Sequence, residues 1–318
     1  MLKNITMKKI AITTILLFIC FLFVLFPKNE DKISLKGESV EYTSGNITHE
    51  IFMVNKDNYV ARTNVLVNEN DIEKKVREIL EYLIIDGKKE SGVPNGFRSI
   101  IPSGTEIKSI KLVDGLLKIN FSKEILEISK ELEEKMLESI VYSLTSINGV
   151  KGILIYVEDE LLTALPKTKT NLPSILTRDI GINKEYDITD TKNITKTTIY
   201  YVSKNNDSYY YVPVTKVNNS NKDKVKVIVD ELSSGPIYED NLMSFMNLNT
   251  KLENYELKDD KMYLTFNEYI LDNLEEKNIL EEVIYSIGLS VMDNYKVKDV
   301  VFLINGEEIV KSVVKTLE

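Results

Sequence analysis

One cysteine, one histidine and too little basic charge are the first marks of this 318-residue chain. The lone cysteine, Cys20, excludes internal disulfides and cysteine-rich metal sites. The lone histidine, His49, excludes any centre that needs two imidazoles; beside Thr48 and Glu50 just before the first strand it reads as an isolated, exposed residue rather than a catalytic base set between a nucleophile and an orienting acid. Lysine and arginine number 40 against 49 aspartates and glutamates, a formal charge of −9. That balance argues against nucleic acid, whose phosphates call for a net basic footprint. A G-x-S-x-G elbow and a G-x-x-x-x-G-K-[ST] phosphate loop are both missing, which removes the common hydrolase and nucleotide-binding signatures. What is present is a chain 43% hydrophobic and 28% charged, able to bury real cores and long enough for about two domains.

The longest uncharged run lies near the start. Ile10 to Phe26 carries only Thr13 and Thr14 as polar residues. As a helix it spans roughly 26 Å, near the lower limit for crossing a bilayer. Lys3, Lys8 and Lys9 precede it and hold that end in the cytoplasm, which sends the remainder outward. The run is longer than a cleaved signal's apolar core and lacks a small-residue cleavage site before Pro27. A lipoprotein reading would use Cys20, but bulky Ile19 precedes it and the apolar run continues beyond it. The reading adopted is an uncleaved, single-pass cell-membrane anchor bounded by Ile10 and Phe26, with a cytoplasmic N-terminus and extracytoplasmic domains. Lipidation of Cys20 is its lesser alternative.

Beyond a polar tether the sequence runs twice through one plan. The first copy opens with two β-rich runs, Ile51–Val54 and Tyr59–Val67. A helix starts at Asn70 with Glu73 behind it, and carries Ile72, Val76, Ile79, Leu80 and Leu83 on one face. A loop from Gly87 to Gly104 leads into a hairpin around Asp114-Gly115, a pair that accepts positive φ at both central positions. A second helix through Leu132, Met136, Ile140, Val141 and Leu144 precedes a closing strand, Gly152–Val157. The second copy repeats this order, with Asp259-Asp260 in place of Asp-Gly. Leu117–Glu124 pairs with Met262–Tyr269, Tyr142-Ser143 with Tyr285-Ser286, and Lys151 and Glu160 with Lys298 and Glu307. The expected architecture is α+β: an N-terminal transmembrane helix, then two tandem ββαββαβ sandwich domains with both helices on one face of the sheet. Residues 1–27 form the cytoplasmic N-terminus and anchor, 28–47 the tether, 48–160 and 198–310 the two domains, 161–197 the linker and 311–318 the tail.

This twofold pattern resembles the GerM family of sporulation and spore germination proteins. The resemblance is carried by Val113–Ser122, by Ile140-Val141-Tyr142-Ser143-Leu144-Thr145, by the strand after Val150, and by the connector Leu176–Tyr186. It implies ring-building-motif-like domains and a non-enzymatic envelope protein without a cofactor. It also implies a role in assembling complexes between the two membranes of a developing spore, or one related to peptidoglycan. A scaffold acting through protein–protein contact is therefore expected. The alternative is a peptidoglycan-binding module or an accessory to a cell-wall hydrolase.

The remaining candidates for function are contact residues. Phe97 and Arg98 lie in the Gly87–Gly104 loop, where a rigid domain would display them. Tyr200, Tyr201, Tyr209, Tyr210 and Tyr211 crowd the opening hairpin of the second copy. Alternation sends some of them inward, while Tyr201, Tyr209, Tyr210 and Tyr211 are kept as candidates for stacking on a partner or a glycan. The acid pairs Glu133-Glu134, Glu275-Glu276 and Glu281-Glu282 read as solvated helix faces. Partners expected on these grounds are the cell membrane, envelope or sporulation membrane proteins, peptidoglycan, and further copies of the chain in a ring or other homo-oligomer. No catalytic or metal-binding residue is assigned.

Overall fold

The computed structural model describes residues 47–206, 208–235 and 241–312. Ile10, Phe26 and Cys20 lie outside them. Among the described residues no helix is long and apolar enough to cross a membrane.

The first copy runs β1 (Ile47–Asn55), β2 (Val60–Val67), α1 (Ile72–Leu83), β3 (Phe97–Arg98), β4 (Ile107–Val113), β5 (Leu116–Phe121), α2 (Glu133–Leu144), β6 (Gly152–Val157) and β7 (Glu160–Leu161). The connector holds a 3-10 turn at Arg178–Ile180 and β8 (Glu185–Asp187). The second copy runs β9 (Thr195–Asn205), β10 (Ser208–Asn218), α3 (Lys224–Ser234), β11 (Leu252–Lys258), β12 (Lys261–Phe266), α4 (Glu281–Tyr295), β13 (Asp299–Ile304) and β14 (Glu307–Ser312). Each copy thus has one strand more at its end than the sequence pattern shows. The N-cap of α1 is Asp71 rather than Asn70: its carboxylate accepts the Lys74 amide at 3.0 Å.

The strands divide differently from expectation. Instead of one sheet per copy with both helices on one face, each copy builds its own four-stranded sheet and lends its opening hairpin to a shared one. The private sheets run β4-β5-β6-β7 and β11-β12-β13-β14. Their central pairs, β5–β6 and β12–β13, are parallel, so each needs a crossover, which α2 and α4 provide. The shared sheet runs β3-β1-β2-β10, with β9 on the far edge of β10 and β8 beside β2 on the near edge. Helix α2 packs against β1 and β2 of the shared sheet and also against β6. A helix covered from two sides must be apolar or small nearly all round. Leu137, Ser139, Ile140, Val141, Tyr142, Ser143 and Leu144 of α2 are all buried.

The duplication is visible in backbone detail. A bulge falls between Ile107 and Ser109 in one copy and between Leu252 and Asn254 in the other. The Lys151 amide bonds the Gly115 carbonyl at 2.7 Å, and the Lys298 amide bonds the Asp260 carbonyl at 2.8 Å. One pairing needs correction. Ser143 Oγ accepts the Phe52 amide of β1 at 2.9 Å, and the residue that does this in the second copy is Ser290, accepting the Tyr200 amide of β9 at 2.9 Å. Tyr142-Ser143 therefore matches Leu289-Ser290. Tyr285-Ser286 lies one helical turn earlier, so the shared dipeptide misleads by a turn.

Candidate functional site

The two cores exchange residues across the seam. Tyr200 and Leu289 of the second copy belong to the first core, and Ala61 of the first belongs to the second. The strands meet at Arg62 of β2 and Tyr211 of β10. Asn183 of the connector, in a left-handed conformation with φ 45°, staples this junction. Its amide side chain donates to the carbonyls of Val60 and Pro213, both at 2.7 Å, while its Oδ1 accepts the Val60 amide at 2.9 Å.

Arg178 occupies the centre of the seam. Its guanidinium reaches Asp293 of α4 at 2.8 Å and Glu50 of β1 at 3.6 Å. It also donates to the Tyr142 carbonyl, to Thr145 Oγ1 and to Ser146 Oγ. The same group lies 4.9 Å from the Tyr142 ring centre and 5.3 Å from that of Phe52. Arg62 holds Glu50 from the other side at 2.6 Å. Burial alone would raise the Glu50 carboxyl, but Arg62 and Arg178 together hold it below the usual range. Burial works against the charge of Arg178 as well, and Asp293, Tyr200 and Glu50 more than offset it. These carboxylates are thus neutralised by arginines, which leaves neither as a free acid or base. Nothing local in the sequence marks Arg178. Its one signal is its place within the quoted connector, and its partners stand far away in the chain.

Beside this network a cavity of about 770 Å³ opens between the copies. Thr48, Arg62 and Lys151 line it from the first copy, Arg178 from the connector, and Lys224 and Lys296 from the second. His49 also lines it. Contrary to the sequence reading, His49 is not exposed. It is half-buried, its Nε2 is buried without a hydrogen-bond partner, and burial lowers its pKa despite Glu50 next to it.

The other candidates are dispersed. Phe97 is half-buried and packs edge-on to Tyr210 with ring centres 5.2 Å apart, joining loop to hairpin across the copies. Arg98 is exposed and donates to Asn58 at 2.8 Å. Tyr201 and Tyr210 are buried, with Tyr201 donating to Glu231 and Tyr210 receiving bonds from Asn55 and Ser203. Tyr211 stacks on Tyr285. Tyr209 alone of the four is exposed, and its ring meets Phe245. The acid pairs also differ from expectation at one point. Glu133 is fully buried and accepts the Lys167 and Thr168 amides, both at 2.7 Å, so it pins the start of the connector. Among the described residues no group of three His, Cys, Asp or Glu side chains could hold a metal.

Comparison with known proteins agrees with this geometry. The family model "Germane: Sporulation and spore germination" matches residues 48–163 and again 198–310. The chain is 31% identical over 275 residues to the spore germination protein GerM of Bacillus subtilis (strain 168), covering 84% of this chain and 74% of that protein. Among solved structures, the tandem GerMN domains of the sporulation protein GerM from Bacillus subtilis superimpose with a TM-score of 0.76 at 30% identity, covering 84% of this chain and 93% of that one. The tandem mixed α+β repeat, the match of both copies and the agreement along most of the chain together place this protein in the Germane family of sporulation and spore germination proteins.

Proposed function

We propose that the protein acts in sporulation as a membrane-anchored, extracytoplasmic scaffold that works by contact rather than catalysis. The observation that carries this reading is the fusion of two family domains through one shared sheet. A body built this way offers its outer surfaces in a fixed relation, which is what an assembly platform needs. The acids gathered at the seam support a non-catalytic role, because they are held in ion pairs by Arg62 and Arg178.

A strand edge is the natural contact, since its unpaired amides and carbonyls can template a partner's strand. The outer edges of the shared sheet are blunted. Ser143 takes an amide of β1, while Ser290 and Asn294 bond β9. The outer strand β4 is covered by α1, whose Glu73 accepts the Leu112 amide and whose Arg77 donates to the Ile107 carbonyl. Its counterpart β11 has no helix side chain bonded to its backbone among the described residues, its helix contact being the Tyr255 hydroxyl that donates to Asp223 at the start of α3. Glu253, Asn254 and Glu256 stand exposed along it. The proposed docking edge is therefore β11, and the proposed partner an envelope membrane protein of the developing spore.

The test is genetic. A deletion strain should form fewer heat-resistant spores, full-length protein should restore them, and protein lacking residues 1–27 should not. The double variant Glu253→Lys/Glu256→Lys should keep its melting temperature and lose complementation. Normal spore counts in the deletion strain would remove the sporulation reading. Full complementation by the β11 variant would remove the assignment of the edge.

A further inference from the structure

We infer that the cavity between the two copies is a binding site for a small oxyanion-bearing molecule, a phosphate or a carboxylate. The chain as a whole is acidic, with a formal charge of −9. The cavity inverts that balance. Arg62, Lys151, Arg178, Lys196, Lys224 and Lys296 line it against only three carboxylates, those of Glu50, Asp179 and Asp293. Two of the three are already neutralised, Glu50 by Arg62 and Arg178, and Asp293 by Arg178. The third accepts a hydrogen bond from Thr177 at 3.0 Å. Lys196 is held by the carbonyl of Asp179 at 2.9 Å. Lys151, Lys224 and Lys296 form no ion pair among the described residues. They come from three separate elements, the turn before β6, the start of α3 and the end of α4, so only the joined copies bring them to one opening.

The chemistry follows from which cations remain unengaged. The arginines have their planar forks committed to protein acids and carbonyls, whereas the three lysines are compact charges without a directional fork. Such charges accept phosphate or carboxylate alike. Low-dielectric walls focus their field into the cleft. Thr48, Thr145, Ser146, Thr177 and Thr198 line the same space and make its walls polar; the hydroxyls of the last four already have protein partners. A volume of about 770 Å³ falls within the range of small-molecule sites. This inference stands apart from the scaffold reading: a scaffold could dock through β11 with the cavity unused.

The test titrates full-length protein, purified in neutral detergent, with fructose 1,6-bisphosphate, with glucarate and with sorbitol, by calorimetry. At least one anion should bind, more weakly as salt is raised, and sorbitol should not. The triple variant Lys151→Gln/Lys224→Gln/Lys296→Gln should weaken that binding by about tenfold or more. The triple variant Lys88→Gln/Lys111→Gln/Lys258→Gln, which removes exposed lysines elsewhere, should bind as the unaltered protein does. Binding of the bisphosphate alone would assign a phosphate ligand, and of glucarate alone a carboxylate. Absence of binding by both anions at millimolar concentration would overturn the inference. So would undiminished binding in the cavity variant, or equal loss in the remote one.

Discussion

At the scale of single residues, His49 can be assigned by substitution because the chain has no other histidine, while the buried Glu138 carboxyl, which burial raises, acts on stability in the opposite sense. Burial lowers its folded-state pKa below the ordinary value of 6.5, with Lys75 adding to the effect and Glu50 opposing it. A lowered value means that the folded state binds the proton less readily than the unfolded chain. The stability His49 contributes is therefore fully present above the unfolded value and is lost as the pH falls through the folded one. Unfolding free energy should decline as the pH falls through the ordinary imidazole value of 6.5, and His49→Gln should flatten that decline. Glu50 does not confuse the window, since its carboxyl is held below the usual range and its own contribution fades only at lower pH. Equal slopes in urea-unfolding series of the two proteins would show that His49 is not the cause.

Elements carry the marks of duplication, and two of them can be tested by exchange. Asp114-Gly115 and Asp259-Asp260 form the same turn, with positive φ at all four positions. Glycine adopts such a conformation at no steric cost, while aspartate does so at some. Asp260→Gly should therefore raise stability by about 0.5–1 kcal/mol, measured as a shift in thermal midpoint. Its exposed partner Lys298, 3.5 Å away, contributes little against this. The serines of α2 and α4 give a sharper case. Ser290→Ala would leave the buried Tyr200 amide without its acceptor and should cost about 1–3 kcal/mol. Ser286→Ala should be neutral or slightly stabilising, because the Ser286 hydroxyl is buried without a partner. The reverse ranking in denaturant unfolding would restore the pairing of Ser143 with Ser286.

For the whole molecule, the question is whether the two copies behave as one body. Arg178 decides much of this. Its loss strands Asp293 and Glu50 without one of their counter-charges in a buried seam. Removing one partner of a buried pair typically costs about 3–5 kcal/mol, so Arg178→Ala should be strongly destabilising. The loss should concentrate at the junction. Hydrogen exchange of the amides around Arg62 and Tyr211 should accelerate before that of the private sheets. Arg178→Lys keeps the charge without the fork that spans Asp293, Tyr142 and Ser146, and should recover only part of the protection. Uniform acceleration across both copies would instead mean that the seam opens only with global unfolding.

Much of this fold follows from local pattern. The order of elements, the stripes of α1 and α3, the hairpin turns and the repeat itself are legible because each depends on residues a few positions apart. The register of α4 against α2 is less so, since a recurring Tyr-Ser pair competes with the true alignment and only the bond to a distant strand amide distinguishes them. The tyrosine-rich hairpin is recognisable as a strand pair, yet which rings are buried depends on what covers each face. Tyr201 is enclosed by its own copy's core, its hydroxyl reaching Glu231 of α3, whereas Tyr210 is enclosed by Asn55 and Phe97 of the other copy. The seam lay beyond local pattern altogether. Arg178 and Asp293 are 115 positions apart, and the connector that carries the arginine has no periodicity to show that it is structural. By itself the sequence determined two similar α+β modules in tandem, because hydrophobic spacing and turn chemistry act at short range. Only the tertiary structure decided that their first hairpins merge, that an arginine clasps the junction and that a lysine-rimmed cavity opens beside it, because those features arise from groups that meet only after both copies have folded.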